Sequence, residues 1–327
     1  MKNQDFDKLS PGIQRKGLKI MFFGTSEFAT PALKSLLNFG YEVVAVVTQS
    51  EKPAGRLRVT MPSPIKKAAL ENHILVFEPH NLKSDEEFFK HFKHLNPDLC
   101  IVAAYGKIIP SRYLEIPKLG FLNIHPSLLP KYRGPSPIQA AILNGDKETG
   151  VSIMLVDAQM DHGPILKSGK WKVESGKYYK EIEKELAEEG ARLLLETLPK
   201  YLNGEIGVKP QEHEKATITK LLTRQDGQVD WNKNAEEIYN QIRALSPEPG
   251  TWTTWKGKVL NIKIAESSVL QVNGQGLGVV VRINNDIAVA TKTCYLILKQ
   301  IQLEGGKEMD AKAFLNGHPD FLASKLD

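Results

Sequence analysis

The sequence predicts an α/β chain in two parts, an open and mostly parallel sheet covered by helices and then a smaller β unit. Three observations carry that expectation. The 327 residues exceed what one hydrophobic core normally serves, so two domains are expected. Through the first half, short apolar runs alternate with helix-like segments, as βαβ units require. Nearer the C-terminus the texture changes to short β-like runs separated by Gly and Asn turns.

Element by element, Leu18-Lys19-Ile20-Met21-Phe22-Phe23 reads as a buried strand ending at Gly24, and 28–37 as a helix with Pro31 in its first turn. Residues 41–48 give a second strand, followed by a loop to about 62. Helices at 65–72 and 85–95 flank a short strand at 74–77, and 99–105 is the central apolar strand. Then come a strand at 121–125, a helix at 136–144 and a strand at 151–156. Residues 165–173 look hairpin-like, interrupted by Gly169, and 178–202 form a long charged helix stopped by Gly204.

A helix at 235–245 precedes Pro247, Pro249 and Gly250, and strands are expected at 251–255, 259–264, 278–283, 287–290 and 295–301. The expected organisation is therefore a polar extension at 1–17, a Rossmann-like domain at 18–204, a linker at 205–217 and an OB-like β-barrel domain at 218–327.

Composition narrows the function classes. Apolar residues make up 41% and charged residues 25%, ordinary for a soluble enzyme. Cys100 and Cys294 form no CxxC, which suits a reducing cytosol, and the eight histidines show no HxxxH or HExxH, so no metal is expected. No apolar run approaches the roughly 18 residues that span a bilayer, so no membrane partner is expected. The first 17 residues carry Asp5 and Asp7 and resemble neither a secretory signal nor a transit peptide, which points to a cytoplasmic location.

The chemistry-bearing stretch is Leu122-Asn123-Ile124-His125-Pro126-Ser127-Leu128-Leu129-Pro130. Positions i and i+2 of a strand share a face, so Asn123 and His125 project together before Pro126 ends the ladder. Asp161, in a Gly-flanked turn after the next strand, is placed to return to the imidazole. An amide donor, a titratable base and a carboxylate to orient it suit acyl transfer to an amine. A nucleophilic role for Ser127 competes, but there is no GxSxG elbow. His162 reads as a solvent-facing loop residue, and Gly24-Thr25-Ser26-Glu27-Phe28 lacks GxGxxG and reads as a plain strand-to-helix turn.

Charge is concentrated in one loop. Residues 49–67 hold Lys52, Arg56, Arg58, Lys66 and Lys67 against Glu51, whereas 217–327 hold 13 basic and 12 acidic residues. Pro53-Ala54-Gly55-Arg56 is a stiffened tip displaying an arginine, suited to phosphate or base contacts.

In this order, Gly24-Thr25 with Phe28-Ala29, Pro53-Ala54-Gly55-Arg56, Met61-Pro62-Ser63-Pro64, Ala104-Tyr105-Gly106, the Asn123 stretch through Tyr132-Arg133-Gly134, Pro137-Ile138-Gln139, Glu148-Thr149-Gly150-Val151 and Asp161 are highly specific. From residue 18 to 322 the chain resembles the methionyl-tRNA formyltransferase family. The resemblance implies that Asn123, His125 and Asp161 are catalytic and that Ser127-Leu128-Leu129-Pro130 binds the folate. It implies formyl transfer from 10-formyltetrahydrofolate to the α-amine of methionine on initiator tRNA. Asn123 would donate to the oxyanion, His125 would polarise the formyl group or handle the proton, and Asp161 would orient His125 and help accept the amine proton.

By the same resemblance the loop with Lys52, Arg56 and Arg58 contacts tRNA and the C-terminal domain holds it; a monomer is expected. The chain departs from the family at Leu57-Arg58-Val59-Thr60, a stretch usually richer in glycine and lysine, which would weaken the salt-dependent part of tRNA binding. Two alternatives compete: a folate-dependent formyltransferase acting on a small-molecule amine (a sugar nucleotide or glycinamide ribonucleotide), and a non-catalytic tRNA-binding protein on the same scaffold.

Overall fold

The computed structural model describes residues 17–50, 53–54, 59–60 and 62–327. The chain divides into two compact units. The first holds the described residues up to Pro135 together with Thr149–Trp171 and Glu183–Thr219; the second holds Ser136–Glu148, Lys172–Ile182 and Lys220–Asp327.

In chain order the elements are β1 (Lys19–Gly24), α1 (Thr30–Asn38), β2 (Glu42–Val47), β3 (Pro53–Ala54), β4 (Val59–Thr60), α2 (Pro64–Glu71), β5 (Leu75–Phe77), α3 (Glu86–Leu95), β6 (Leu99–Ala103), α4 (Ser111–Leu114), β7 (Phe121–His125), α5 (Pro137–Leu143), β8 (Glu148–Leu155), β9 (Ile165–Lys172) and α6 (Tyr179–Leu202). These continue with α7 (Ala235–Leu245), β10 (Thr251–Trp255), β11 (Lys258–Gln271), β12 (Val280–Ile283), β13 (Asp286–Ala290), β14 (Cys294–Leu303), β15 (Met309–Asp310) and α8 (Ala311–Gly317).

Seven strands form the first sheet in the order β5-β2-β1-β6-β7-β8-β9. The pairs from β5 through to β7 are parallel, and β8 turns antiparallel to β7. Parallel strands covered on both faces need continuous apolar runs. Ile20, Met21, Phe22 and Phe23 on β1, and all five residues of β6, are accordingly buried. The chain builds outward from β1 to β2 and β5, then crosses back to lay β6 on the other side of β1. The strand order therefore reverses at β1/β6, the place where open α/β sheets bind ligands beyond the strand ends. Gly24 closes β1 there because a Cβ would come within 2.7 Å of the Ala29 Cβ.

The structure departs from expectation at residues 165–173. They form one uninterrupted strand, β9, beside β8, with no turn at Gly169. Gly169 is a close-approach glycine instead: a Cβ would lie 2.8 Å from Glu189 Oε1. The short helices α4 and α8 were also not legible, being only one or two turns long. Residues 205–217 carry a 3-10 turn at His213–Lys215 and bury Gln211, which is 5% exposed.

The second unit contains an antiparallel sheet ordered β10-β11-β14-β13-β12, with β15 on β14. The 14-residue β11 pairs with β10 through its first part and with β14 along its length, and its register slips at several bulges. Such bulges bend a strand and let one long element serve two neighbours. Trp231, Trp255, Leu260, Phe314 and Phe321 fill the core of this unit. Helix α7 is started by a reciprocal capping box between Asn234 and Glu237. Among the described residues no helix is long and apolar enough to cross a membrane.

Candidate active site

Strand β7 delivers Asn123 and His125 from one face at its carboxyl end, as the alternation of a strand requires. Both reach Asp161. Asn123 Nδ2 donates to Asp161 Oδ1 at 3.3 Å, and His125 Nδ1 stands 3.6 Å from Asp161 Oδ2. The backbone N–H of Gly134 donates to Asp161 Oδ2 at 2.7 Å. The carboxylate thus takes one hydrogen bond on each oxygen and keeps its second oxygen beside the imidazole.

The imidazole has a second anchor. Its Nε2 lies 2.9 Å from the Tyr132 carbonyl oxygen, and a carbonyl can only accept, so Nε2 carries the proton. Nδ1, facing Asp161 at 3.6 Å, then carries the lone pair of the neutral ring. His125 is 4% exposed, so this orientation is held in a dry environment. Two residues that shape the site adopt left-handed backbone without being glycine: Tyr132 at φ 59° and Asp161 at φ 49°. Thr217 pins the first of them, its Oγ1 accepting from Tyr132 N at 2.8 Å.

The segment 127–130 is fixed from below by β8. Ser152 Oγ donates to the Ser127 carbonyl at 2.8 Å and accepts from Leu129 N at 3.2 Å, with Ser168 Oγ 2.9 Å away. Pairing of His125 with Ser152 in the β7–β8 register puts this hydroxyl under the loop. Leu128 packs over Gly150, where a Cβ would fall 2.5 Å from Leu128 Cδ2. Pro130 closes the segment. Ser127 gives its hydroxyl proton to the Lys131 carbonyl at 2.6 Å and is fully buried, which suits a structural role and no attack on a substrate.

Around Asp161 the sequence left several groups unseen. Gln211 Nε2 donates to the carbonyls of Asp161 and Gly163 at 2.9 and 2.7 Å, and its Oε1 accepts from Arg133 Nε and Nη2 at 3.1 and 2.7 Å. His162, a partly exposed loop residue, also bonds Asp157 Oδ2 through Nδ1 at 2.6 Å and stacks on His213 at 4.0 Å between centroids. Arg133 and Gly134 lay within a recognised motif, but Gln211 sits in a polar, non-periodic stretch with no local signal. Burial pushes the Cys100 thiol well up, so it stays protonated and inert.

Lys52, Arg56 and Arg58 lie outside the described residues. Among the described residues, no three His, Cys, Asp or Glu side chains are grouped so as to hold a metal ion.

The chain is similar to known proteins in sequence and in fold. A sequence family described as formyl transferase matches residues 18–198, and one described as formyl transferase, C-terminal domain, matches 221–319. The methionyl-tRNA formyltransferase of Sulfurihydrogenibium sp. is 38% identical over 305 residues, covering 92% of this chain and 97% of that protein. The methionyl-tRNA formyltransferase of Chloroflexus aurantiacus is 41% identical over 305 residues, covering 93% and 98%. Among solved structures, an N-formyltransferase from Helicobacter canadensis, in complex with folinic acid and dTDP-3-aminofucose, matches with a TM-score of 0.65. It is 17% identical and covers 89% of this chain and 100% of that one. HypX from Aquifex aeolicus in complex with tetrahydrofolic acid also matches with a TM-score of 0.65, at 16% identity over 94% of this chain and 48% of that one. At such identities the structural likeness is one of fold.

Proposed function

This chain belongs to the methionyl-tRNA formyltransferase family, and on that premise we propose that it formylates the α-amine of methionine on initiator tRNA, with 10-formyltetrahydrofolate as donor. The observation that carries the assignment of residues is the convergence of Asn123 and His125 on Asp161 at the carboxyl end of β7.

The donor supplies a formyl group on nitrogen, and the amine of the methionyl group attacks its carbon. One bond forms between the amine nitrogen and the formyl carbon, and the bond from that carbon to the folate nitrogen breaks. The donor set of the site fits this chemistry. Asn123 spends one amide N–H on Asp161, and its second has no partner among the described residues. That N–H is free to meet the oxyanion of the tetrahedral intermediate, an interaction worth about 3 kcal/mol in comparable sites. Nδ1 of His125 takes the proton lost by the amine, Asp161 stabilises the resulting imidazolium, and that proton passes to the folate nitrogen as its bond to the formyl carbon breaks, which restores the neutral ring. Tyr132 and Gly134 hold these two groups in place through main-chain atoms alone.

Ser127, Leu128, Leu129 and Pro130 are assigned to the folate, because Ser152 and Gly150 fix that loop next to His125. Lys52, Arg56 and Arg58 are assigned to the tRNA on the charge of their loop, and the unit at the C-terminus is assigned to holding the tRNA.

The test is incubation of the purified chain with charged initiator tRNA and 10-formyltetrahydrofolate, scoring formyl-methionine. Formylation that is confined to a small amine, with no salt-sensitive tRNA binding on filters, would replace this reading with that of a small-molecule formyltransferase.

A further inference from the structure

We infer that Gln211 is a positioning residue for the reaction, setting the carboxylate of Asp161 through the main chain on which it hangs. The inference rests on the assignment of Asp161 to the chemistry.

Asp161 sits in left-handed backbone at φ 49°, a conformation that a non-glycine residue keeps only when its surroundings over-determine it. The turn is cramped as well, for a Cβ on Gly163 would lie 2.0 Å from the Leu155 carbonyl oxygen. Its two carbonyls, of Asp161 and Gly163, point at a single amide nitrogen, Nε2 of Gln211. Both hydrogens of that NH₂ are spent on them. The amide oxygen in turn takes two N–H groups from Arg133. Every hydrogen-bonding capacity of the primary amide is therefore used.

Arg133 makes this more than a local clip. It lies between Tyr132, whose carbonyl accepts from His125 Nε2, and Gly134, whose N–H donates to Asp161 Oδ2. Thr217 and Thr219 fasten the same stretch from its other edge, through Arg133 N to Thr217 O at 2.9 Å and Thr219 N to Arg133 O at 2.7 Å. Gln211 thus joins the turn that carries the carboxylate to the loop that orients both carboxylate and imidazole. Gln211 is 5% and Arg133 8% exposed, so water does not take over either partner. The outer end of Arg133 reaches His213 Nδ1 at 2.8 Å, and a guanidinium only donates, so that nitrogen accepts. No other side chain type does the same work. A carboxylate at 211 would keep Arg133 but turn a lone pair towards the two carbonyls; protonated, it would regain one donor.

The experiment measures single-turnover formylation, with enzyme in excess over methionyl initiator tRNA, for Gln211→Ala, Gln211→Glu, Asp161→Ala and the double variant Gln211→Ala/Asp161→Ala. Gln211→Ala is expected to lower the single-turnover rate about 10- to 100-fold, as a displacement near 1 Å does, while steady-state KM for both substrates, measured separately, changes less than about threefold. In the Asp161→Ala background the same change is expected to cost less than about threefold, because its target is gone. Gln211→Glu is expected to recover relative to the wild type as pH falls and its carboxyl group takes up a proton, a response that Gln211→Ala lacks. If Gln211→Ala folds poorly by urea titration, this pH response decides the matter. Equal losses from Gln211→Ala in both backgrounds, or a flat relative pH profile for Gln211→Glu, would overturn the inference. Near-normal turnover by Asp161→Ala would instead overturn the assignment of the site, and the two failures are thereby distinguished.

Discussion

His125 Nε2 is bound to the carbonyl of Tyr132, at 2.9 Å, more closely than its Nδ1 approaches the carboxylate of Asp161, at 3.6 Å. The main chain therefore selects which nitrogen carries the proton, and the carboxylate faces the nitrogen left free. A base is useful only when its lone pair is aimed, and here the aiming is done by a peptide carbonyl held in left-handed backbone.

His125→Ala is expected to lower the formylation rate by about 100- to 10,000-fold, the usual yield of a positioned base. Because His125 is buried, tRNA affinity on filters is expected to stay within about threefold of the wild type. A variant that retained more than a third of normal turnover would remove His125 from the chemistry.

Asn123 offers a second, sharper contrast. Asn123→Ala takes away one donor and is expected to cost about 100- to 1,000-fold in kcat. Asn123→Asp is expected to be worse, since it places a carboxylate against that of Asp161, where the amide now sits 3.3 Å away. Equal activities for the two variants would argue that Asn123 meets no developing negative charge.

How much of this was legible in the sequence follows from the physics of each feature. The strand β7 is legible to the residue because Phe121, Leu122 and Ile124, interleaved with Asn123 and His125, run up to Pro126. The facing of Asn123 and His125 followed from strand alternation alone, and the open, mostly parallel sheet from the alternation of strands with helices, whereas the number of its strands and the single strand β9 did not. What stayed hidden came from groups that converge across long sequence separations. Tyr132 and Gly134 act through backbone atoms that any residue has, and Gln211 reaches the site from 50 residues beyond Asp161. Gly169 was misleading for a related reason: glycine marks a turn or a close approach, and only the neighbour Glu189 tells which.

Ser152 has neither role in the reaction nor contact with solvent, yet its hydroxyl serves Ser127, Leu129 and Ser168 at once. Ser152→Ala is expected to cost about 1–3 kcal/mol of stability by leaving buried polar groups unpaired. Since those groups shape residues 127–130, KM for the folate is expected to rise while that for tRNA holds. Urea titration and steady-state kinetics check the two effects, and a variant with unchanged midpoint and unchanged folate KM would contradict the support assigned to Ser152.

Gly150 tests the same loop from the other side. A Cβ there would lie 2.1 Å from the Gly169 carbonyl oxygen and 2.5 Å from Leu128 Cδ2, so β8, β9 and Leu128 cannot all keep their places. Gly150→Ala is expected to lower stability by about 1–3 kcal/mol through overpacking. The urea midpoint should fall with its slope preserved, and a variant as stable as the wild type would show that the strands part more easily than their spacing suggests.

The last prediction concerns pH and the second unit. Asp226 is paired with Lys220 and accepts from both the N–H and the hydroxyl of Thr223 at 2.8 Å, capping the 3-10 turn Arg224–Gly227. The Lys220 hydrogen bond, followed by those from Thr223, lowers its pKa from 3.8 to about 2. A carboxylate lowered in the folded state binds protons more tightly once the chain unfolds. Its stabilising effect is therefore complete above the unfolded value, near 3.8, and is lost as pH falls through about 2. Asp226→Asn is accordingly expected to be less stable than the wild type at neutral pH, with a deficit that is constant down to about pH 4 and shrinks below it. Because Lys220 is largely open to solvent and Asp226 only partly covered, salt is expected to reduce the deficit at neutral pH. Urea midpoints of both proteins across this range provide the measurement, and a deficit that stayed constant to pH 2 would mean that the capping oxygens, and not the charge, stabilise the turn.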